Sequence, residues 1–302
     1  MSQTSFSELP AEQVKGDGVM IAHIGECLAN GPALRYDGER SRYDIGLSTL
    51  KTVGGSRCAP LIERLNRLSP AISGVLVETV YCDVIGRPGL SLKDREVATV
   101  AVLAAQGDTP IALTFHCEGM LNTGWYPRAL IETVVCGVSG STQGAATAIA
   151  IAFDVLMQRQ AVAAQYLPSG DGLPPAPETF MHTLNAGRQS YALVKAVLTD
   201  NLARLPSAVV DSDSLSEKSR QLATFAAAMV QRVGAAAIRD QTRCCLALGW
   251  TREELIELII HITAYIGWPE TLNLVAPTAE AFEAFHERIT QPDSGSQSDS
   301  IP

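Results

Sequence analysis

The chain has 302 residues with 32 acidic and 23 basic side chains, a formal charge of −9, and is long enough for two domains or for one core made from two similar halves. That balance, with no basic run, excludes nucleic acid as a natural partner, because phosphate binding needs a concentrated positive surface. No apolar run reaches the roughly 18 residues of a membrane span, the N-terminus has no basic-then-apolar secretory pattern, and seven cysteines without a regular framework suit free thiols in a reducing compartment, so a cytoplasmic protein is expected.

Residues 1–42 read as an N-terminal arm, polar to about residue 18, with a short helix at Val19–Asn30. Tyr43 opens a helix stopped by Gly54 and Gly55. Apolar residues at three- and four-residue spacing predict helices over Ala59–Leu68 and Ile72–Ile85. After the break at Pro88 and Gly89, Ser91 is placed to cap a helix running to about Ala105, with Asp94 bonding back three residues on. Gly107 to Pro110 is a turn, and the next helix carries His116 and ends at Gly124. Pro127 suits the first turn of another, reaching the small-residue break at Gly137–Gly144, and a fourth covers Ala145–Gln160.

The Gly- and Pro-rich segment 166–178 reads as a linker. Phe180–Asn201 predicts one or two helices. Ser216 then caps a helix to about Val233, a second runs through Cys244 to Gly249, and Thr251 with Glu254 forms a capping box for a strongly amphipathic third. A break over Ile262–Pro269 precedes a last helix, Thr271–Ile289, and 291–302 should be a disordered tail. No alternating pattern of any length appears, so the fold class is all-α.

Leu90–Glu132 and Leu215–Glu257 overlay without a gap, 125 residues apart, and are identical at 15 of 43 positions, where composition alone would give about three. Tandem duplicated helical units follow, 43–165 and 179–290. The copies keep their framework and differ in reactive side chains. His116 corresponds to Gln241, and Cys136 to His261.

His116 lies on an apolar helix face beside Gly119, which leaves room next to the imidazole that packing does not ask for. Glu257, His261 and Tyr265 follow at four-residue spacing, so all three share one side of a helix, a row able to fix an imidazole tautomer. Glu257 and its counterpart Glu132 also fit a framework role, as do the equivalent Arg95 and Arg220 through ion pairs. Arg87, without a counterpart, is the candidate to grip a substrate carboxylate. Cys117 and the adjacent Cys244 and Cys245 invite a redox reading, but there is no C-x-x-C, and consecutive helical side chains point about 100° apart. The histidines His23, His116, His182, His261 and His286 form no zinc spacing, and neither a dinucleotide fingerprint, a P-loop nor a nucleophile elbow is present. No cofactor is expected.

GLSTLKTVGG, RPGLSLKDRE, His116 to Gly124 as H-x7-G, and GWTREELIELIIHITAYIGWP together resemble the carboxymuconolactone decarboxylase family, which also holds the alkyl hydroperoxidase D-like proteins. The pattern E-x3-H-x3-Y-x-G-x-P is met by Glu257, His261, Tyr265, Gly267 and Pro269. The resemblance implies a helical unit assembling into trimers or hexamers, so that three tandem chains would build a pseudo-hexamer. It also implies a cofactor-independent decarboxylase of a small carboxylated lactone or related enolisable acid. His116 and His261 are then proton donor or oxyanion partner, Glu257 and Tyr265 stand beside them, and Arg87, Gln241 and Cys136 face the substrate. The chain departs from a single-unit decarboxylase in splitting its histidines between copies, and from the hydroperoxidase branch in having Thr114 and Phe115 where a C-x-x-C would precede the histidine. A thiol peroxidase or reductase, or a divergent cyclase, isomerase or auxiliary protein, are the alternatives.

Overall fold

A computed structural model describes residues 41–138, 144–163 and 214–290. The expected arm, the Val19–Asn30 helix, the linker, the Phe180–Asn201 helices and the tail lie outside the described residues.

Every described element is helical. α1 (Arg42–Gly54) begins at a capping box between Ser41 and Asp44 and stops at Gly55. α2 (Cys58–Asn66) and the short α3 (Pro70–Val75) follow, and α3 runs into a π-helix, Leu76–Ile85. The sequence predicted one α-helix over Ile72–Ile85, and the wider turn is the difference. α1 lies close on it at Gly46, where any Cβ would be driven into the Val77 carbonyl oxygen.

α4 (Leu92–Gln106), α5 (Pro110–Asn122), α6 (Pro127–Val138) and α7 (Ala145–Ala163) form the next layer. Ser91 caps α4 by accepting from the Asp94 amide at 3.0 Å, while the Asp94 carboxylate takes the Ser91 hydroxyl at 2.5 Å rather than a backbone amide. Arg95 through Ala105 are all buried, so α4 is enclosed on every side, as a helix that is apolar all round must be. It contributes Val97, Val100 and Ala101 to a core shared with α5, α6 and α7, and Ala98 and Val102 to a second core.

That second core is built on α8 (Glu217–Gln231), α9 (Ala235–Ala247) and α10 (Arg252–Thr290). The Thr251–Glu254 capping box forms as expected, with bonds of 2.7 and 3.1 Å. The anticipated break in α10 is a single non-helical residue, Gly267 (φ 75°, ψ 163°), beyond which the helix resumes.

Adding 125 to each bound of α4 and α5, and to the start of α6, gives the bounds of α8 and α9 and the start of α10. The polar contacts repeat as well. Trp125 Nε1 donates to the Lys93 carbonyl at 2.8 Å and Trp250 Nε1 to the Lys218 carbonyl at 3.0 Å, and each lysine sits over its tryptophan ring. Between the two sets the ion pairs are exchanged: Arg95 reaches Glu257 at 2.9 Å, and Arg220 reaches Glu132 at 3.2 Å. Reciprocal contacts of this kind are those of an approximate two-fold axis. Each glutamate has a second arginine from a different source, Arg87 for Glu257 and Arg128 for Glu132.

Candidate functional site

Glu96 and Thr99 sit on α4, one turn apart, facing α5 and α10. His116 on α5 gives Nδ1 to Glu96 Oε2 at 3.0 Å. An ionised carboxylate accepts only, so this bond keeps the proton on Nδ1 and leaves Nε2 as the imidazole atom available to a ligand. Space for the carboxylate comes from Gly119, where a Cβ would lie 2.5 Å from Glu96 Oε2 and 2.6 Å from Val53 Cγ1. The room beside His116 anticipated from the sequence is therefore filled by Glu96.

Across α4, His261 Nε2 is 2.8 Å from Thr99 Oγ1, which is 3.0 Å from the Tyr265 hydroxyl. A threonine hydroxyl has one proton to give. Thr99 therefore links Tyr265 to the imidazole in one short chain, its hydroxyl giving its proton to one neighbour and accepting from the other. Burial above all, then the charge of Arg95 and the neighbouring His116, hold His261 well below the usual histidine range, so the ring is neutral. Burial likewise raises the Tyr265 phenol, with Glu96 adding to the effect. The Tyr265 ring stands edge-on between the two imidazoles, 6.3 Å from His116 and 5.5 Å from His261.

The histidines differ in access. His116, 7% exposed, lines a groove of about 710 Å³, whereas His261 is 0% exposed and closed off behind Thr99 and Tyr265. The groove is walled by Leu61, Leu65, Leu76, Ile111 and Phe115. Its polar side chains include Arg57, Arg64 and Tyr81. Arg57 is engaged by Glu118 at 2.8 Å, while Arg64 is exposed and has no ion-pair partner among the described residues.

Of the residues predicted from sequence, His116, His261 and Tyr265 come together. Glu257 does not orient His261: its carboxylate accepts from Arg87 at 2.8 to 3.2 Å and from Arg95 at 2.9 Å. For the same reason Arg87 is not placed to grip a substrate carboxylate, since its guanidinium forks onto Glu257 and it does not line the groove. Gln241 bonds Gln221 at 2.6 Å, the counterpart pair of His116 and Glu96. Cys136 is held by Thr224, the counterpart of Thr99. Neither Gln241 nor Cys136 lines the groove. Glu96, Thr99, Tyr81 and Arg64 were not singled out as site residues. The repeat offered one signal for Glu96, because the Glu96/Gln221 and His116/Gln241 differences change together.

Burial pushes the thiols up: Cys136 to about 11, Cys245 to about 12 and Cys117 further still. Among the described residues no three His, Cys, Asp or Glu side chains gather as a metal cage, and no helix is long and apolar enough to cross a membrane.

A search of curated proteins finds no match to the chain. Residues 198–280 match the model of the Carboxymuconolactone decarboxylase family, a stretch that takes in α8, α9 and the part of α10 bearing Glu257, His261 and Tyr265.

Proposed function

We propose that the chain is a cofactor-independent decarboxylase of a small carboxylated lactone or related enolisable acid, working in the His116 groove. The observation that carries this is an imidazole, held by a buried carboxylate, on the wall of an otherwise largely apolar groove. In such a substrate the bond to the departing carboxylate breaks and its electron pair passes through the ring double bond onto the lactone carbonyl oxygen. Carbon dioxide leaves a dienolate. A proton delivered to carbon restores the carbonyl, and the overall change is loss of CO2 for one proton taken up. Apolar walls favour the first step by stripping water from the carboxylate, and in the second the proton taken up from solvent reaches carbon through His116 Nε2 while Nδ1–H stays on Glu96. Arg64 is suited to a carboxylate the substrate retains.

His261 and Tyr265 are positioning residues in this scheme, fixing α10 against Thr99 and setting the wall behind His116. Glu257 and Arg87 belong to the framework. The paired helix bounds and exchanged ion pairs support descent of the two halves from one duplicated unit. The thiol peroxidase alternative loses support, because attack needs a thiolate and the buried thiols are held protonated. A homotrimer is the assembly proposed, supported by Trp268, Leu272 and Val275 exposed along one stretch of α10, and light scattering that gives a monomer mass would remove it.

The test is γ-carboxymuconolactone in D2O. Release of CO2 with one deuterium on the ring carbon next to the lactone carbonyl is expected, falling about 100-fold or more in His116→Gln. Full rate in that variant, or no turnover by the unaltered chain, overturns the proposal.

A further inference from the structure

We propose that the Tyr81 hydroxyl is the hydrogen-bond donor that meets the substrate's developing oxyanion in the groove shared with His116. The inference deepens the decarboxylase reading and rests on it. Dienolate formation puts negative charge on the lactone oxygen, and a donor already in place there lowers the barrier.

Tyr81 is 3% exposed, lines the groove with His116, and makes no hydrogen bond to any described residue. A buried phenol ordinarily finds a partner, so a free O–H on a groove wall asks for an acceptor from outside. The neighbouring groups do not compete for the task. Tyr265 is joined to Thr99, Arg57 to Glu118 and Gln158, and His116 Nδ1 to Glu96. Thr109 Oγ1, on the same groove, also lacks a partner but is closed off from solvent, whereas the Tyr81 hydroxyl is not.

The backbone holds the phenol there. Tyr81 lies on the π-helix, a conformation whose single turns recur at functional sites, and the close approach of α1 at Gly46 fixes that helix from behind. Burial, reinforced by Tyr265, Glu96 and Cys58, raises the phenol well above its ordinary value, so it remains a donor across the neutral range.

Coumalate, a stable unsaturated lactone bearing a carboxylate, is the probe. Its affinity is read by calorimetry and its lactone carbonyl stretch by isotope-edited infrared difference spectra. On binding to the unaltered chain the stretch is expected to fall. In Tyr81→Phe it should return upward and the Kd should rise about 3- to 10-fold, with the melting temperature as a check that the ring still packs. Tyr81→3-fluorotyrosine, a stronger donor of the same shape, should lower the stretch further, and Tyr126→Phe, at an exposed tyrosine outside the groove, should leave it in place. An unchanged stretch and Kd in Tyr81→Phe overturns this inference alone. No binding of millimolar coumalate to the unaltered chain overturns the decarboxylase reading and this inference with it.

Discussion

Replacing Glu257 with Gln separates a framework role from a catalytic one. The Glu257 side chain is 5% exposed and accepts from Arg87 Nε and Nη2 and from Arg95 Nη2. Arg95 is 0% exposed, and burial alone already lowers its pKa, an effect that the Glu257 bond and charge oppose. Removing one partner of a buried pair costs about 3–5 kcal/mol, because the other charge is left unpaired. Arg95 keeps three carbonyl acceptors, from Leu90, Arg87 and Glu257 itself, which sets the expectation near the lower end, about 3 kcal/mol, or more than 100-fold in the folding constant. Glu132→Gln is the internal control. Both of its arginines, Arg128 and Arg220, are 22% exposed and can recover water, so about 1–2 kcal/mol is expected. The measurement is urea unfolding of the three proteins at pH 7, followed by far-UV circular dichroism. A loss below about 1 kcal/mol for Glu257→Gln, or equal losses for both variants, would refute Arg95 as a buried cation that depends on Glu257. Turnover per folded molecule is expected to survive in Glu257→Gln, since that carboxylate does not line the groove.

Three further outcomes are expected. Gly119→Ala forces a Cβ onto Glu96 Oε2 and Val53, an overpacking of about 1–3 kcal/mol, and should part Glu96 from His116; unchanged imidazole 15N shifts at His116 would contradict this. The folded His261 pKa is depressed, so its stabilising effect is complete above the unfolded value near 6.5 and is lost as pH falls toward the folded value, at up to about 1.4 kcal/mol per pH unit; His261→Asn should flatten that part of the stability curve between pH 7 and 5, and parallel curves would refute it. Iodoacetamide should label Cys244, the exposed member of the described cysteines, and spare Cys117, Cys136 and Cys245 in the folded chain; rapid labelling of Cys117 would revive the thiol chemistry.

The helices were legible because their ends carry short-range chemistry: Ser91 and Ser216 as caps, Pro127 as a first-turn residue, and the Thr251 and Glu254 box all sit where local bonding alone places them, while Pro110, read as the end of a turn, opens α5 instead. The π register of Leu76–Ile85 was not, since its apolar spacing also fits an α-helix. At the site, His116, His261 and Tyr265 were visible as reactive types on helical faces. Their partners were not. Glu96 and Thr99 lie on α4, whose continuous burial erases any polar face that could point to them. The four-residue row of Glu257, His261 and Tyr265 suggested bonding along one helix, and the bonds run instead across helices, because buried Arg95 and Arg87 claim the glutamate and leave Thr99 to the imidazole.

Exchanged pairing brings one histidine from each half to a single centre. Since Arg95 on α4 holds Glu257 on α10, one helical turn further along both helices brings Thr99 opposite His261. The same exchange places Arg220 against Glu132 and then Thr224 against Cys136. In a two-fold arrangement of identical units each centre would draw one histidine from either partner's α6-type helix and one from its own α5-type helix. The chain has both centres: one consists of Glu96, His116, Thr99 and His261, and the other holds Gln221, Gln241, Thr224 and Cys136 in the corresponding places. The second set has no charged member, and Gln221 and Gln241 satisfy each other. Neither half alone contains the first set, so a chain cut between them is expected to keep helices but lose the imidazole pair.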